Sequence, residues 1–432
     1  MHIYFSGIGG AGIGPLAEMA LKAGYEVSGS DKQNSSYISA LKSVGIKDIF
    51  LNQDYETIAK VHSKHPIDWL VYTSALTMEN PDAPELRFAK DYKIKISKRD
   101  ELINKILKDK DLSLIAVAGT HGKTTTTAMI IWLCRQHGVP VSYLLPAKTS
   151  YGPMGDFLNE SRYMVIEADE FDRNFLHFNP WLSVISGVSW DHQEIFPTRD
   201  NYQQAFLDFI KQSQQTLIWQ DDAIYLNLNE KDTSISIQNP VNATATSIKL
   251  KGLYNRLDGW LAVQTMIRIC DSPVEQLIES LNLFPGLSRR MEQLIPNLYS
   301  DYAHTPEKIR GAMSVAQEIA KSKSQSIIVL YEPLTDRRQH YIKNDYGNCF
   351  EGAAQVYWLP SYLAREDPNQ RILPPAELIS HLADPTIALP ANKDEGLKRT
   401  INAHLEKGDM VVGIAGGGGG SLDDWLRNNY LK

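Results

Sequence analysis

Lys123 and Thr124 are the residues of this 432-residue chain whose neighbours best equip them for chemistry. They stand in GTHGKTTTT, where Gly119, Thr120, His121 and Gly122 lead into Lys123, Thr124 and Thr125. A glycine turn that opens a helix offers backbone N–H groups and the positive helix end to an anion. A lysine there sets a point charge on the β- and γ-phosphates of a nucleotide, and the adjoining hydroxyl can ligate Mg2+. The spacing departs from G-x-x-x-x-G-K-[ST]: Val117 stands where the first glycine would, and the glycine of the loop is Gly119. The plainer reading is a solvated lysine in a strand-to-helix turn. It leaves the run of four threonines, 124–127, without a purpose.

A second glycine cluster runs Gly7-Ile-Gly9-Gly10-Ala-Gly12-Ile-Gly14, with Asp31 following. This is a G-x-G-x-x-G pattern with an acid roughly 20 residues further on. It predicts a diphosphate on a helix N-terminus and a carboxylate in reach of a ribose or base; Asp31 can equally be a turn residue. Two further groups end apolar runs. Residues 163–167 lead into Glu167-Ala-Asp169-Glu170-Phe-Asp172, and residues 183–187 into Val-Ser-Trp-Asp191-His192. Open α/β sheets bind ligands at the carboxyl ends of their strands, so both groups fall beside the phosphate loop. Glu167 suits Mg2+, and His192 suits a second divalent ion or a phosphate. In the alternative reading the acids cap turns and His192 is a hydrogen-bonded loop residue.

The elements that must position these groups are strands alternating with helices. Strands are predicted over 2–6, up to Asp31, 69–73, 95–97, 112–118, 163–167, 183–187 and 216–219. Helices are predicted over 84–92, 98–110, 123–137 and 200–214. Residues 221–250 alternate as small edge strands do. Breaks near 112 and 284–286 divide the chain into three α/β units in series. The last unit has a strand ending at Asp301, a helix over 306–320, and strands over 326–331, 356–359, 386–389 and 410–415. It closes on the glycine run 416–420, which is either a backbone anion site or a flexible turn. Length and a 43% hydrophobic, 22% charged composition fit a soluble protein of two or three domains. A net charge of −7 disfavours nucleic acid as the main partner. No apolar run is long enough for membrane insertion, and the glycine-rich start is not a signal peptide. Cys134, Cys270 and Cys349 form neither a disulfide framework nor a metal site, as suits a reducing cytosol.

From end to end the chain resembles the Mur ligase family, the ATP-dependent ligases that build the peptide of bacterial cell-wall precursors. The resemblance is carried by GIGGAGIG with VSGSD, GTHGKTTTT, EADEFDRNFL, SWDH, Asn255 in GLYNRLD, FPGLSRRME and DYAHTP. It implies three domains: a Rossmann-like UDP-binding domain over 1–110, a central P-loop ATPase over 111–286, and a Rossmann-like C-terminal domain over 287–432. It implies a cytoplasmic enzyme of cell-wall biogenesis, monomer or weak dimer, that uses ATP and Mg2+. The substrates implied are UDP-N-acetylmuramate and L-alanine, joined through an acyl phosphate. Gly7, Gly9, Gly10, Gly12, Asp31 and Ser74 would hold the UDP-sugar, so the first glycine loop would take no dinucleotide. Gly119 to Thr125 would hold ATP, with Asn255 at adenine, Arg290 on the nucleotide and Asp301 at its ribose. Thr124, Glu167 and His192 would ligate metal. Lys123, His192, Arg290 and His304 would be catalytic, with His304 near the incoming amine. The modified lysine of several relatives is absent, since the corresponding place lies near Leu207. The chain departs from the alanine-adding branch at the amino-acid pocket, at the adenine motif, where Tyr254 also stands for a His, and after DYAH. Residues 331–338 read Tyr-Glu-Pro-Leu-Thr-Asp-Arg-Arg where the alanine-adding branch has a His-Arg pair, Asp258 replaces an Asn, and Thr305 a second His. Two other readings within reach of these residues are a recycling ligase that adds L-Ala-γ-D-Glu-diaminopimelate and a non-catalytic nucleotide-binding regulator. A Rossmann dehydrogenase would leave the phosphate loop unexplained.

Overall fold

Three parallel-stranded sheets follow one another along the chain in this computed structural model. The structure describes residues 1–432 apart from 11, 74, 75, 77–79, 81, 193, 194, 230, 242–246, 364–369 and 432, with the backbone alone at 36 and 172. The first sheet holds β1 (His2–Ser6), β2 (Glu26–Ser30), β3 (Ile49–Phe50), β4 (Trp69–Tyr72) and β5 (Lys95–Lys98). Their order is β3-β2-β1-β4-β5, all parallel. β1 is buried along its whole length, as a strand covered on both faces must be. The strand order reverses at β1, so the loop that follows it opens into the crevice where such sheets bind ligands.

The second sheet holds β6 (Ser113–Ala118), β7 (Val141–Leu144), β8 (Gly155–Asp156), β9 (Tyr163–Glu167), β10 (Leu182–Ile185), β11 (Gln215–Trp219) and β12 (Ile235–Gln238). Its order is β12-β11-β10-β6-β9-β7-β8, with only the β7–β8 pair antiparallel. β6 lies between β9 and β10, which brings the ends of those two strands beside the loop after β6. The third sheet holds β13 (Glu292–Ile295), β14 (Leu298–Asp301), β15 (Ile327–Glu332), β16 (Gln355–Trp358), β17 (Ala388–Pro390) and β18 (Met410–Ala415). It runs β13-β14-β18-β15-β16-β17, parallel except for the β13–β14 hairpin.

By its contacts the chain groups into two compact units. One comprises Met1–Ile248 and Leu257–Phe284, the other Lys249–Arg256 and Pro285–Lys432. The first two sheets share a unit because one apolar cluster runs through both, from Ile3, Leu16 and Leu102 to Leu114, Phe175 and Phe206. The division falls within the helix Leu253–Met266, so Asn255 groups with the last third of the chain.

The strands expected over 2–6, 163–167 and 410–415 have those bounds. The strand expected up to Asp31 stops at Ser30, because Asp31 turns its carboxylate back to backbone N–H groups. Residues 386–389 were expected as strand. Asp384 instead caps a 3-10 turn at Pro385–Ile387 through the Thr386 N–H, and β17 begins only at Ala388.

Candidate active site

The turn after β6 has the strand–glycine–helix form that its residues predict. β6 delivers the chain to Gly119 at φ 145°, and the helix Lys123–Gln136 starts from Gly122 at φ 77°. Both are backbone conformations that side chains resist. Space is also denied: a Cβ on Gly122 would lie 2.5 Å from an Asp258 carboxylate oxygen, and one on Gly119 2.6 Å from Ser186 Oγ. The site therefore includes Asp258, which reading along the chain placed only as a departure from a motif. Thr120 differs from expectation in direction. Its hydroxyl donates to the Ser189 carbonyl and pairs with Tyr202 Oη, both at 2.7 Å, and its N–H donates to Gly187 O. Thr120 thus anchors the loop from beneath. The His121 ring lies over Gly187, leaving no room there for a side chain.

Lys123 is largely enclosed. Its ammonium donates to Gly119 O at 2.7 Å and to the buried Glu170 carboxylate, with Asp169 3.7 Å away. Burial presses on the charged lysine, but the carboxylates of Glu170, Asp169 and Glu167 outweigh it and hold the pKa above the ordinary lysine value. The lysine is therefore a fixed cation. Asp169 is partly exposed, and its pKa lies below the ordinary value: Lys123, then the Phe171 N–H and Arg99, outweigh the burial that opposes them. Thr124 Oγ1 donates to Glu167 Oε2 at 2.7 Å, joining the start of the helix to the end of β9. His192, at φ 56°, sets Nε2 3.6 Å from Glu170 Oε1 and 4.0 Å from Asp191 Oδ2. β6, β9 and β10 thus bring Lys123, Thr124, Glu167, Asp169, Glu170 and His192 together. Glu170 and Asp169 were legible as acids after β9; that Glu170 meets Lys123 was not.

This donor set suits a Mg2+–nucleotide. Hard oxygens from Thr124 and Glu167 adjoin the lysine, and Glu170 Oε1 is buried with no hydrogen-bond partner. Among the described residues no three His, Cys, Asp or Glu side chains form a ready-made cage.

In the first sheet Asp31 Oδ2 accepts the Gly9 N–H at 2.8 Å, and Oδ1 the Gln33 N–H at 3.2 Å. Asp31 thereby shapes the glycine loop. Gly7, at φ 83°, packs on Thr73, whose methyl lies 2.5 Å from where a Cβ would stand. Ser74 lies outside the described residues. Beneath the loop, Glu85 is fully buried and accepts hydroxyls from Tyr4, Ser6 and Ser30. Ser6 and Ser30 end β1 and β2. No local pattern marks Glu85, since its partners lie 55 to 81 residues away.

In the second unit, Arg290 sits between Arg289 at φ 58° and Met291 at φ 46°. Both arginines stand over the Tyr302 ring, at 4.6 Å for Arg289 and 5.4 Å for Arg290. Asp301 accepts the N–H groups of Met291 and Ala303, each at 2.8 Å, so its carboxylate fixes the turn that carries Arg290. Burial raises its pKa, with Arg290 opposing. His304 is buried and its Nδ1 lies 2.8 Å from Tyr302 O. A carbonyl can only accept, so Nδ1 carries the proton and Nε2 is the free acceptor. Burial first, then Lys308, Arg338 and Arg290, hold its pKa well below the ordinary histidine value. The Asn255 amide donates to Lys251 O at 2.7 Å. The glycine run is a packed turn at its start, because a Cβ on Gly416 would lie 2.6 Å from His304 Cβ, and one on Gly417 2.7 Å from the Tyr362 ring.

A Rossmann-like sheet, a phosphate-loop sheet and a third α/β sheet in series, with a lysine, a threonine and strand-end acids at the loop, define a class. The chain belongs to the Mur ligase family: the family's catalytic domain matches residues 2–111 and its middle domain residues 117–274. Among curated relatives, the UDP-N-acetylmuramate–L-alanine ligase of Chlorobium chlorochromatii is 29% identical over 84% of this chain and 83% of its own length. The enzyme of the same name from Rickettsia massiliae is 26% identical over 100% of this chain and 95% of its own. Among solved structures, the UDP-N-acetylmuramate–alanine ligase of Thermotoga maritima superposes with a TM-score of 0.76 at 20% identity, covering 99% of this chain and 98% of that one. A murein peptide ligase from Psychrobacter arcticus gives 0.63 at 20% identity, covering 97% and 96%. These two share the fold. No helix among the described residues is long and apolar enough to cross a membrane.

Proposed function

We propose that this chain is the ATP-dependent ligase that adds L-alanine to UDP-N-acetylmuramate in peptidoglycan precursor synthesis. The observation that carries the reading is the Lys123–Glu170 and Thr124–Glu167 pairing at the loop after β6, in a chain whose curated relatives carry that name. Residues 1–110 take the UDP-sugar, 111–286 the nucleotide, and 287–432 close on the amino acid. ATP with Mg2+, when bound, supplies the phosphoryl group that turns the sugar's carboxylate into an acyl phosphate.

The protein's part is to bring two anions together and keep water away. Lys123 exchanges its carboxylate contacts for nucleotide phosphates, which its fixed charge allows. Thr124 and Glu167 hold the metal, and Glu170 with His192 lines a second position. Arg290, presented by the Asp301 turn, adds positive charge to the nucleotide. His304 Nε2, kept unprotonated, accepts a proton from the amine as it attacks the acyl carbon; the amide forms as the acyl carbon–oxygen bond breaks and inorganic phosphate leaves.

The test is phosphate release from ATP with UDP-N-acetylmuramate, supplying L-alanine, L-serine, glycine or L-Ala-γ-D-Glu-diaminopimelate one at a time. Release that needs the sugar and L-alanine, with a product heavier by one alanyl residue, establishes the reading. Release with the tripeptide alone moves the chain to the recycling reaction, and release with none leaves a nucleotide-binding regulator.

A further inference from the structure

The glycine loop after β1 has little left with which to hold a diphosphate. Gly7 and Ile8 donate their N–H groups to Ser30 O, Gly10 to Gly7 O, and Ile13 and Gly14 to Gly10 O. Gly9 donates to Asp31, which also sets an anionic carboxylate against the loop. Of the described residues 7–14, only Gly12 has an N–H without such a bond within the fold. Its helix, Gly14–Lys22, has no acid-matching cation in its first turn, where Gly14 and Pro15 stand. A doubly charged ligand in this loop needs a cation from elsewhere.

Arg99 stands where that cation is needed. It is the first residue of the helix Arg99–Asp109, directly after β5, at the same carboxyl edge of the parallel sheet as the glycine loop. A Cβ on Gly12 would lie 3.0 Å from Arg99 Nη1, so the guanidinium rests against the one loop residue with an N–H to give. Among the described residues the half-buried guanidinium makes no hydrogen bond or ion pair, and its five N–H donors are unspent. It is also within electrostatic reach of Asp169, on the phosphate-loop side of the same unit.

We propose that Arg99 grips the diphosphate of the UDP-sugar, closing over Gly12 as the positive wall that the glycine loop lacks. The proposal rests on the reading of this loop as the UDP-sugar site. A planar fork of donors matches two phosphate oxygens at once, which a lysine cannot do.

The test compares UDP with uridine by titration calorimetry, on the wild-type chain, Arg99→Gln and Arg99→Lys. UDP affinity falls about tenfold or more in Arg99→Gln, recovers in part in Arg99→Lys, and uridine affinity is unchanged in both. In the wild-type chain, UDP but not uridine shields Arg99 from phenylglyoxal, read by peptide mass, which needs no folded variant. Equal UDP affinity in wild type and Arg99→Gln, or no shielding by bound UDP, overturns the proposal while leaving the loop as a UDP site. A wild-type chain that binds no UDP overturns the reading of the loop, and the role of Arg99 with it.

Discussion

Two turns of this molecule look alike on paper and do opposite things with their glycines. After β6 and after β18 the chain leaves a buried strand through glycines and opens a helix. At the first turn the glycines have positive φ, and the loop closes around an ammonium held by carboxylates. At the second, Gly416 and Gly417 are glycines because His304 and Tyr362 occupy the space of their side chains. The far end of that run is tied down by Lys393, which bridges the buried Glu332 to Gly420 O. Glycine content alone therefore does not mark an anion site. What fills the place of the missing Cβ does.

The comparison breaks most sharply at Lys123. Lys123→Met is expected to lower ligase turnover by about 10²–10³-fold, as loss of a charge-stabilising group does. It also strands Glu170, fully buried, without its cation, at a stability cost of about 3–5 kcal/mol. Lys123→Met/Glu170→Gln recovers most of that stability in urea unfolding and none of the activity. Were the double variant active, the lysine would be a structural counter-ion and the first turn no different in kind from the second.

At the second turn the effect belongs to stability. Gly416→Ala presses a methyl on His304 and costs about 1–3 kcal/mol. Gly418→Ala meets nothing closer than the Tyr362 hydroxyl at 3.8 Å and stays within about 0.5 kcal/mol of wild type. Equal losses in the two variants would show a turn that needs glycine for its backbone instead of its packing.

The histidine beneath Gly416 gives a smaller, pH-dependent effect. Burial holds the His304 pKa well below the ordinary 6.5. As pH falls through 6.5 the unfolded chain binds a proton that the native chain refuses, so stability drops on the acid side. His304→Gln lacks this loss, and its unfolding midpoint falls less between pH 7 and 5 than that of wild type. Parallel slopes would mean that His304 protonates in place.

Most of the phosphate site was legible because its signals are local. The apolar run of β6 and Gly119, Gly122, Lys123 and Thr124 lie close together in the chain, and β9 ends on Glu167 where its apolar run stops. What could not be read were pairings across the chain. Lys123 meets Glu170 from 47 residues away, Asp258 comes up under Gly122 from a later helix, and Thr120 is held by Tyr202. Arg99 reads locally as one charge in a solvated helix, and only the sheet edge it shares with Gly12 singles it out. Asp31 and Asp301 were recognisable as acids after strands, but whether a carboxylate faces a ligand or a backbone N–H is settled by loop closure, which no spacing encodes.

The first glycine turn tests whether a third arrangement exists, in which neither a captured cation nor a packed ring shapes the loop. Glu85 is the group to ask. It takes hydroxyls from Tyr4 at 2.7 Å and from Ser6 and Ser30, the last residues of β1 and β2, so it ties together the two strands that lead into the loop and into Asp31. Burial raises its pKa above the ordinary 4.5, although the three hydroxyls oppose that. The sign of the pH effect follows. Between 4.5 and the raised native value, the unfolded chain ionises first, so the group's contribution to stability declines as pH rises and is then constant. Glu85→Gln has no such decline, and its stability relative to wild type improves over that window. At neutral pH it loses one or two acceptor contacts, roughly 0.5–1.5 kcal/mol each. If Glu85 positions the loop, KM for the UDP-sugar rises a few-fold while kcat and KM for ATP hold. A uniform loss of all three would make Glu85 part of the core alone, and the first turn would then join the second as a matter of packing.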